Sequence, residues 1–173
     1  MKYIGFILLV VFFAGCGPKN IVINYAPSST MVVNGETSIG EFEYLASKKF
    51  KVKPNQIRNT ALGSIYFEKN INEYLKDAVF NESRLVGINI SSDENLLTGQ
   101  INDFLIDDLG YSVDWVLDIT YNLEKNGVLC YSKSKVTNKN TSKFINIFGS
   151  LNEVIKLNIE ELYKDNNFRK CIK

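Results

Sequence analysis

Tyr111-Ser112-Val113-Asp114-Trp115-Val116-Leu117-Asp118-Ile119-Thr120-Tyr121 carries an apolar or aromatic side chain at every odd position and a mostly polar one at the even positions. A period of two belongs to a β-strand with one covered and one wet face. Trp115, Tyr111 and Tyr121 then share the covered face with Val113, Leu117 and Ile119, which makes them core residues rather than a sugar- or lipid-binding platform. Val116, Asp114, Asp118 and Thr120 face solvent or a partner. Lys125-Asn126-Gly127 follows, and Asn-Gly accepts the positive φ angles of a tight hairpin turn. Val128 to Val136 is the return strand.

On the C-terminal side, Phe144, Ile147, Phe148, Leu151, Val154, Ile155, Ile159 and Leu162 recur at three and four, the stripe of a long helix with Thr141 or Ser142 as its cap. On the N-terminal side, Ile71, Tyr74, Leu75, Ala78 and Val79 make a second such stripe, with Gly87 at or just beyond its end. Ile21 to Ile23, the run Ile39, Phe42, Tyr44 and Ala46 after the turn at Asn34-Gly35, Leu85 to Ile90, and Leu96 to Ile106 read as extended pieces. Ser47 to Thr60 reads as an exposed loop. Two helix stripes need an apolar sheet face to cover, so the order predicts an α+β two-layer sandwich, an antiparallel sheet with two helices packed on one face.

The chain has 173 residues, formal charge +1, 45% apolar residues and no histidine. That is enough for one core. The balanced charge argues against a nucleic-acid partner. Without histidine, Ser-His-Asp and Cys-His catalysis and histidine-ligated metal sites are excluded. There is also no phosphate-cradling glycine loop, nucleophile elbow or CxxC pair. We therefore expect no enzyme, no catalytic residues, no metal and no cofactor beyond a covalent lipid.

The N-terminus supplies that lipid. Lys2 precedes the apolar run Ile4 to Ala14, shorter than the about 20 residues that span a bilayer as a helix and right for a signal-peptide core. Phe13-Ala14-Gly15-Cys16 resembles the bacterial lipobox, with Phe13 in place of the usual Leu, Val or Ile. The resemblance implies signal-peptide recognition through Phe13, Ala14 and Gly15, cleavage before Cys16, and lipidation of Cys16; the alternative is an ordinary secretory signal. Two or three acyl chains anchor stably. Gly17 rather than Asp after the cysteine implies, by resemblance to enterobacterial lipoproteins, delivery to the outer membrane. The organisation expected is a signal peptide at 1–15, a lipidated tether at 16–20 and a single periplasmic domain at 21–173. Without Met1 to Gly15 the chain keeps 158 residues and its side-chain charges balance. Cys130 and Cys171 then face an oxidising compartment as either a disulfide or two free thiols.

Three further groups have two readings each. Asp103, Asp107 and Asp108 either bind a cation or solvate a turn, and the calcium-loop pattern is missing. Lys48, Lys49, Lys51, Lys53 and Arg58 either lie against anionic lipid headgroups or lipopolysaccharide, or make a solvated loop. For Trp115, Tyr111 and Tyr121, the alternation above favours the core over a binding platform.

Gly40-Glu41-Phe42-Glu43-Tyr44, Val52-Lys53-Pro54-Asn55-Gln56-Ile57, the helix after Asn70, Leu97-Thr98-Gly99-Gln100-Ile101, the hairpin from Tyr111 to Val136 and the closing helix resemble the YajG family of bacterial lipoproteins. More distantly the layout is similar to ABC-type transport auxiliary and LptE-like lipoproteins. The resemblance implies a membrane-tethered periplasmic α+β domain with no enzymatic activity and no catalytic residues to transfer. Two functions follow: an accessory or scaffold lipoprotein that binds an envelope protein, or a transport accessory that carries a lipid or other small apolar ligand.

Overall fold

The structure, a computed structural model, describes residues 20–60, 66–143 and 146–173. Its elements are β1 (Asn20–Ile21), β2 (Gly35–Glu36), β3 (Ser38–Tyr44), α1 (Leu45–Phe50), β4 (Arg58–Asn59), β5 (Tyr66–Phe67), α2 (Ile71–Val86), β6 (Ile88–Asn89), β7 (Asn95–Asp107), β8 (Ser112–Lys125), β9 (Val128–Ser142), α3 (Ile147–Lys164) and α4 (Asn166–Cys171). The main sheet runs β3-β7-β8-β9, with β4 also on β7 beyond the end of β3. It is an α+β sandwich with α2 and α3 on one face.

The sheet is mixed, which corrects the expectation of a wholly antiparallel one. β7, β8 and β9 form an antiparallel meander, but β3 and β4 both run parallel to β7. Between β3 and β7 the chain passes through α2, and a strand reached through a crossover helix returns in the same direction. Two small parallel pairs, β1 with β5 and β2 with β6, flank this sheet.

The covered face follows the alternation. Val113, Trp115, Leu117, Ile119, Tyr121 and Leu123 of β8 are all buried, as are Leu97, Ile101, Phe104 and Ile106 of β7. Leu75, Ala78 and Val79 of α2 and Leu151, Val154, Ile155, Ile159 and Leu162 of α3 close over them. The side chain of Asn158 lies inside this apolar layer, fully buried. It accepts from the Tyr121 hydroxyl at 2.9 Å and donates toward the carbonyls of Leu117 (3.0 Å) and Lys135 (2.8 Å), so one amide pins α3 across β8 and β9. Gly99 lets Phe42 cross β7, because a Cβ there would sit 2.2 Å from its ring.

Several local expectations shift. Tyr111 precedes β8 and is fully exposed rather than in the core, because the meander turn ends only at Ser112. Ala46 belongs to α1 and the Ser47–Thr60 stretch includes α1 and β4, so it is not simply a loop. Only Ile21 of the Ile21 to Ile23 run is in a strand. α2 runs through Leu85 to Val86 and stops at Gly87, φ 99°, which leaves only Ile88–Asn89 extended. β9 continues to Ser142, so neither Thr141 nor Ser142 caps a helix; Thr141 instead accepts from the Trp115 indole at 2.9 Å. The cap is Asn146, whose side chain accepts from the Phe148 and Gly149 amides. Phe148 turns outward, and Phe144 lies outside the described residues. The hairpin turn is as expected, with Asn126 at φ 52° and Gly127 at φ 73°.

Asn158→Ala strands the Tyr121 hydroxyl and two strand carbonyls in the core. Unfolding in urea is expected to show a loss of about 3 kcal/mol; a loss within the noise of a surface substitution would contradict the pin.

Candidate functional site

Cys16 and the signal residues Phe13, Ala14 and Gly15 lie outside the described residues. From Asn20 onward the described chain is held to the domain. From β1 it runs as a strap to Val33, and Glu82 of α2, fully buried, is its clamp. The Glu82 carboxylate accepts from the Tyr25 hydroxyl at 2.5 Å and from the Ser28 and Ser29 amides at 2.9 and 3.2 Å. Burial first, and the Glu82 carboxylate second, push the Tyr25 phenol far above its ordinary range, so it stays a donor. The Ser29 hydroxyl donates to Glu160 of α3 at 2.8 Å, so the strap bridges both helices. β1 then sets Asn20 beside Tyr66 of β5.

The three aspartates do not converge. Asp103 is paired with Arg58 of β4. Asp107 accepts from the Thr60 hydroxyl at 2.6 Å and the Leu109 amide at 3.2 Å, contacts that hold its carboxyl below the usual range. Asp108 lies 3.2 Å from the Lys143 ammonium. Each secures a loop, and no group of metal-ligating side chains forms among the described residues. Of the aromatic trio, Trp115 and Tyr121 are core and Tyr111 is alone in solvent.

The basic cluster divides in two. Lys48 pairs with Glu43 and Arg58 with Asp103. Lys49 and Arg58 lie over the Phe50 ring at 5.0 and 4.2 Å, and Lys53 over Tyr66 at 4.7 Å. Lys49, Lys51 and Lys53 are exposed and have no acidic partner among the described residues.

At the other end of the chain, Cys130 of β9 and Cys171 of α4 are joined by a disulfide, with Cα atoms 6.0 Å apart. Phe168 packs between Tyr131 and Tyr163. Asp165, the N-cap of α4, accepts from the Asn167 amide and from Lys133 and Lys135 of β9 at 3.1 and 2.9 Å. Desolvation opposes its ionisation, but the hydrogen bonds from Lys135, the Asn167 amide and Lys133 outweigh it and hold the carboxyl well below the usual range. Glu36 donates its amide to Ile172 at 2.8 Å, closing the clasp on β2. Nothing in the periodicity foretold α4. Asn158 had a signal, a lone amide in an apolar stripe.

The uncovered face of the sheet is a polar ladder. Asn102, the extra residue of a β-bulge, donates to Asp118 and Thr120 at 3.0 and 2.9 Å, Ser134 hydrogen-bonds Asp118, and Ser132 donates to Asn122 at 2.7 Å. Asn140 donates to Ser112 and Asp114 at 2.7 and 2.6 Å. Beside it an open hollow of about 300 Å³ is lined by Asp114, Trp115, Val116, Asn138, Lys139 and Asn140.

No protein-family model matches the chain and no curated protein matches it. Solved structures do. Protein XCC0632 from Xanthomonas campestris, of the family DUF330, superposes with a TM-score of 0.66 over 88% of this chain and 96% of that one, at 10% identity. This shows a shared fold. Looser likenesses include a minor lipoprotein from Acinetobacter baumannii (TM-score 0.43, 9% identity, 79% and 94% covered) and the PelC dodecamer from Paraburkholderia phytofirmans (0.42, 11%, 82% and 96%). No described helix is long and apolar enough to cross a membrane.

Two outcomes test the clasp. Replacing Cys130 and Cys171 by Ser opens a loop of 41 residues and is expected to lower urea stability by about 4 kcal/mol; an unchanged midpoint contradicts a structural role. Asp165→Asn is expected to cost about 1–2 kcal/mol at neutral pH. Because the folded carboxyl titrates below the unfolded one, that difference holds above about pH 4 and shrinks as pH falls toward the folded pKa. An equal difference at pH 2.5 and pH 7 would contradict it.

Proposed function

We propose that this chain is an envelope lipoprotein of the YajG-like kind: an α+β domain tethered to the outer membrane by lipid on Cys16, facing the periplasm, with a non-enzymatic accessory or scaffold role toward another envelope protein. The lipobox resemblance at Phe13-Ala14-Gly15-Cys16 supports the anchor, and the strap from Asn20 to Val33 gives it a firm attachment to the domain. The absence of histidine fits the non-enzymatic reading, because histidine is the usual acid–base group near neutral pH.

The observation that favours scaffold over carrier is the layer between helices and sheet. A carrier of a small apolar ligand needs a concave apolar chamber. Here that layer is occupied by Trp115, Tyr121, Phe104, Leu117, Ile155 and Ile159, all essentially without exposure. The wide surface left is the polar ladder of β7, β8 and β9, whose hydroxyls, amides and carboxylates suit contact with a polar protein surface.

Two experiments test this. Cys16→Ala is expected to abolish incorporation of labelled fatty acid and leave an uncut or untethered chain; unchanged processing and membrane attachment would overturn the anchor. Affinity purification of the wild-type protein in mild detergent, with mass spectrometry of proteins and lipids, is expected to recover a stoichiometric protein partner. Recovery of bound lipid without a protein would overturn the scaffold in favour of the carrier.

A further inference from the structure

From Leu45 to Thr60 the chain carries five cations, Lys48, Lys49, Lys51, Lys53 and Arg58, and no acid. Glu43 and Asp103 neutralise Lys48 and Arg58. Lys49, in the last turn of α1, and Lys51 and Lys53, on the segment that leaves it, remain exposed. Three contacts fix where that segment sits. The Lys53 ammonium lies 4.7 Å from the Tyr66 ring, the Pro54 carbonyl accepts from Ile71 at the start of α2, and Gln56 bridges to Tyr66.

Tyr66 is also the register partner of Asn20. The described chain therefore begins one strand away from the lysines, and Asn20 is four residues from Cys16, a reach of at most about 14 Å. The same end of the sheet holds β4 against Leu105 and Ile106, and the turn with exposed Leu109 and Tyr111. β7 is about 40 Å long. At its other end lie the β8–β9 turn, which Asn126 ties to Glu94, and the Cys130–Cys171 clasp with exposed Lys170 and Lys173. Exposed apolar side chains and unpaired lysines occur at both ends, so the tether distinguishes them.

We propose that Lys49, Lys51 and Lys53 form a contact surface for the anionic headgroups of the membrane that holds the anchor, setting the domain upright with its disulfide clasp pointing away. The proposal rests on lipidation at Cys16. A lipid anchor alone leaves orientation free. Each lysine near an anionic surface adds about fivefold in partition, so three of them, delivered by the tether, bias one end of the domain toward the bilayer. The acid nearest in sequence to Tyr66 is the exposed Glu68, which leaves the local excess positive.

The test uses the full-length lipidated protein purified from membranes and reconstituted into vesicles of phosphatidylcholine, with or without phosphatidylglycerol. The rate of acetylation of each lysine is read by mass spectrometry. With phosphatidylglycerol, Lys49, Lys51 and Lys53 are expected to react at least about fivefold more slowly relative to Lys170 and Lys173, and high salt should remove the difference. Protein that sediments with the vesicles but shows equal rates, or slowing that is the same without phosphatidylglycerol, overturns this proposal and leaves the anchor standing. Protein that does not sediment with either vesicle overturns the anchor and the orientation together.

Discussion

One face of β8 has to be kept from water, and the rest of the molecule is arranged around that need. Its six inward residues from Val113 to Leu123 are buried. β7 and β9 flank them, α3 covers them, and α2 completes the layer over β3. A purely apolar layer would leave the rotation of α3 weakly specified. Asn158 removes that freedom, because its amide finds partners only when it faces Tyr121 and the carbonyls of β8 and β9. Burying an amide is costly unless it is satisfied, so the same residue that permits this packing penalises the alternatives.

The termini are treated differently from this core. The strap after β1 is held by a buried carboxylate on α2, and the C-terminus by a disulfide, an ion-paired cap and a backbone bond to β2. Glu82 lies toward the clasp, next to Ser83 and its partner Tyr163, but the strap starts at β1, by the end of β7 opposite the clasp. The separation of β1 from the clasp gives the domain a direction, with β1, Lys49, Lys51 and Lys53 at one end and the clasp at the other. Under the proposed lipid tether, that direction would decide which surface meets the membrane and which is presented to a partner.

What was legible in the sequence is what neighbouring residues decide. The alternation through Trp115, the Asn126-Gly127 turn and the helix stripes on either side are local patterns, and the sandwich follows from them. Parallel pairing of β3 with β7 was not legible, since it is set by contacts more than fifty residues apart. Tyr111 kept the alternation but fell outside the strand, because the turn, not the pattern, ends the meander. The disulfide stayed open between two readings because distance in space is not written in spacing. The burial of Glu82 has no local signal, because the strap that covers it comes from more than fifty residues away. The lysines of the Leu45–Thr60 stretch were visible as a charge run, but their nearness to the tether depends on the pairing of β1 with β5.

Whether lipid on Cys16 holds this domain to a membrane is read from the intact mass of the mature protein extracted from bacterial membranes. The mass expected is that of a chain from Cys16 to Lys173 carrying a diacylglycerol and an amide-linked acyl chain, less two hydrogens lost to the disulfide. A mature chain that begins at any other residue, or that begins at Cys16 without lipid, would contradict it.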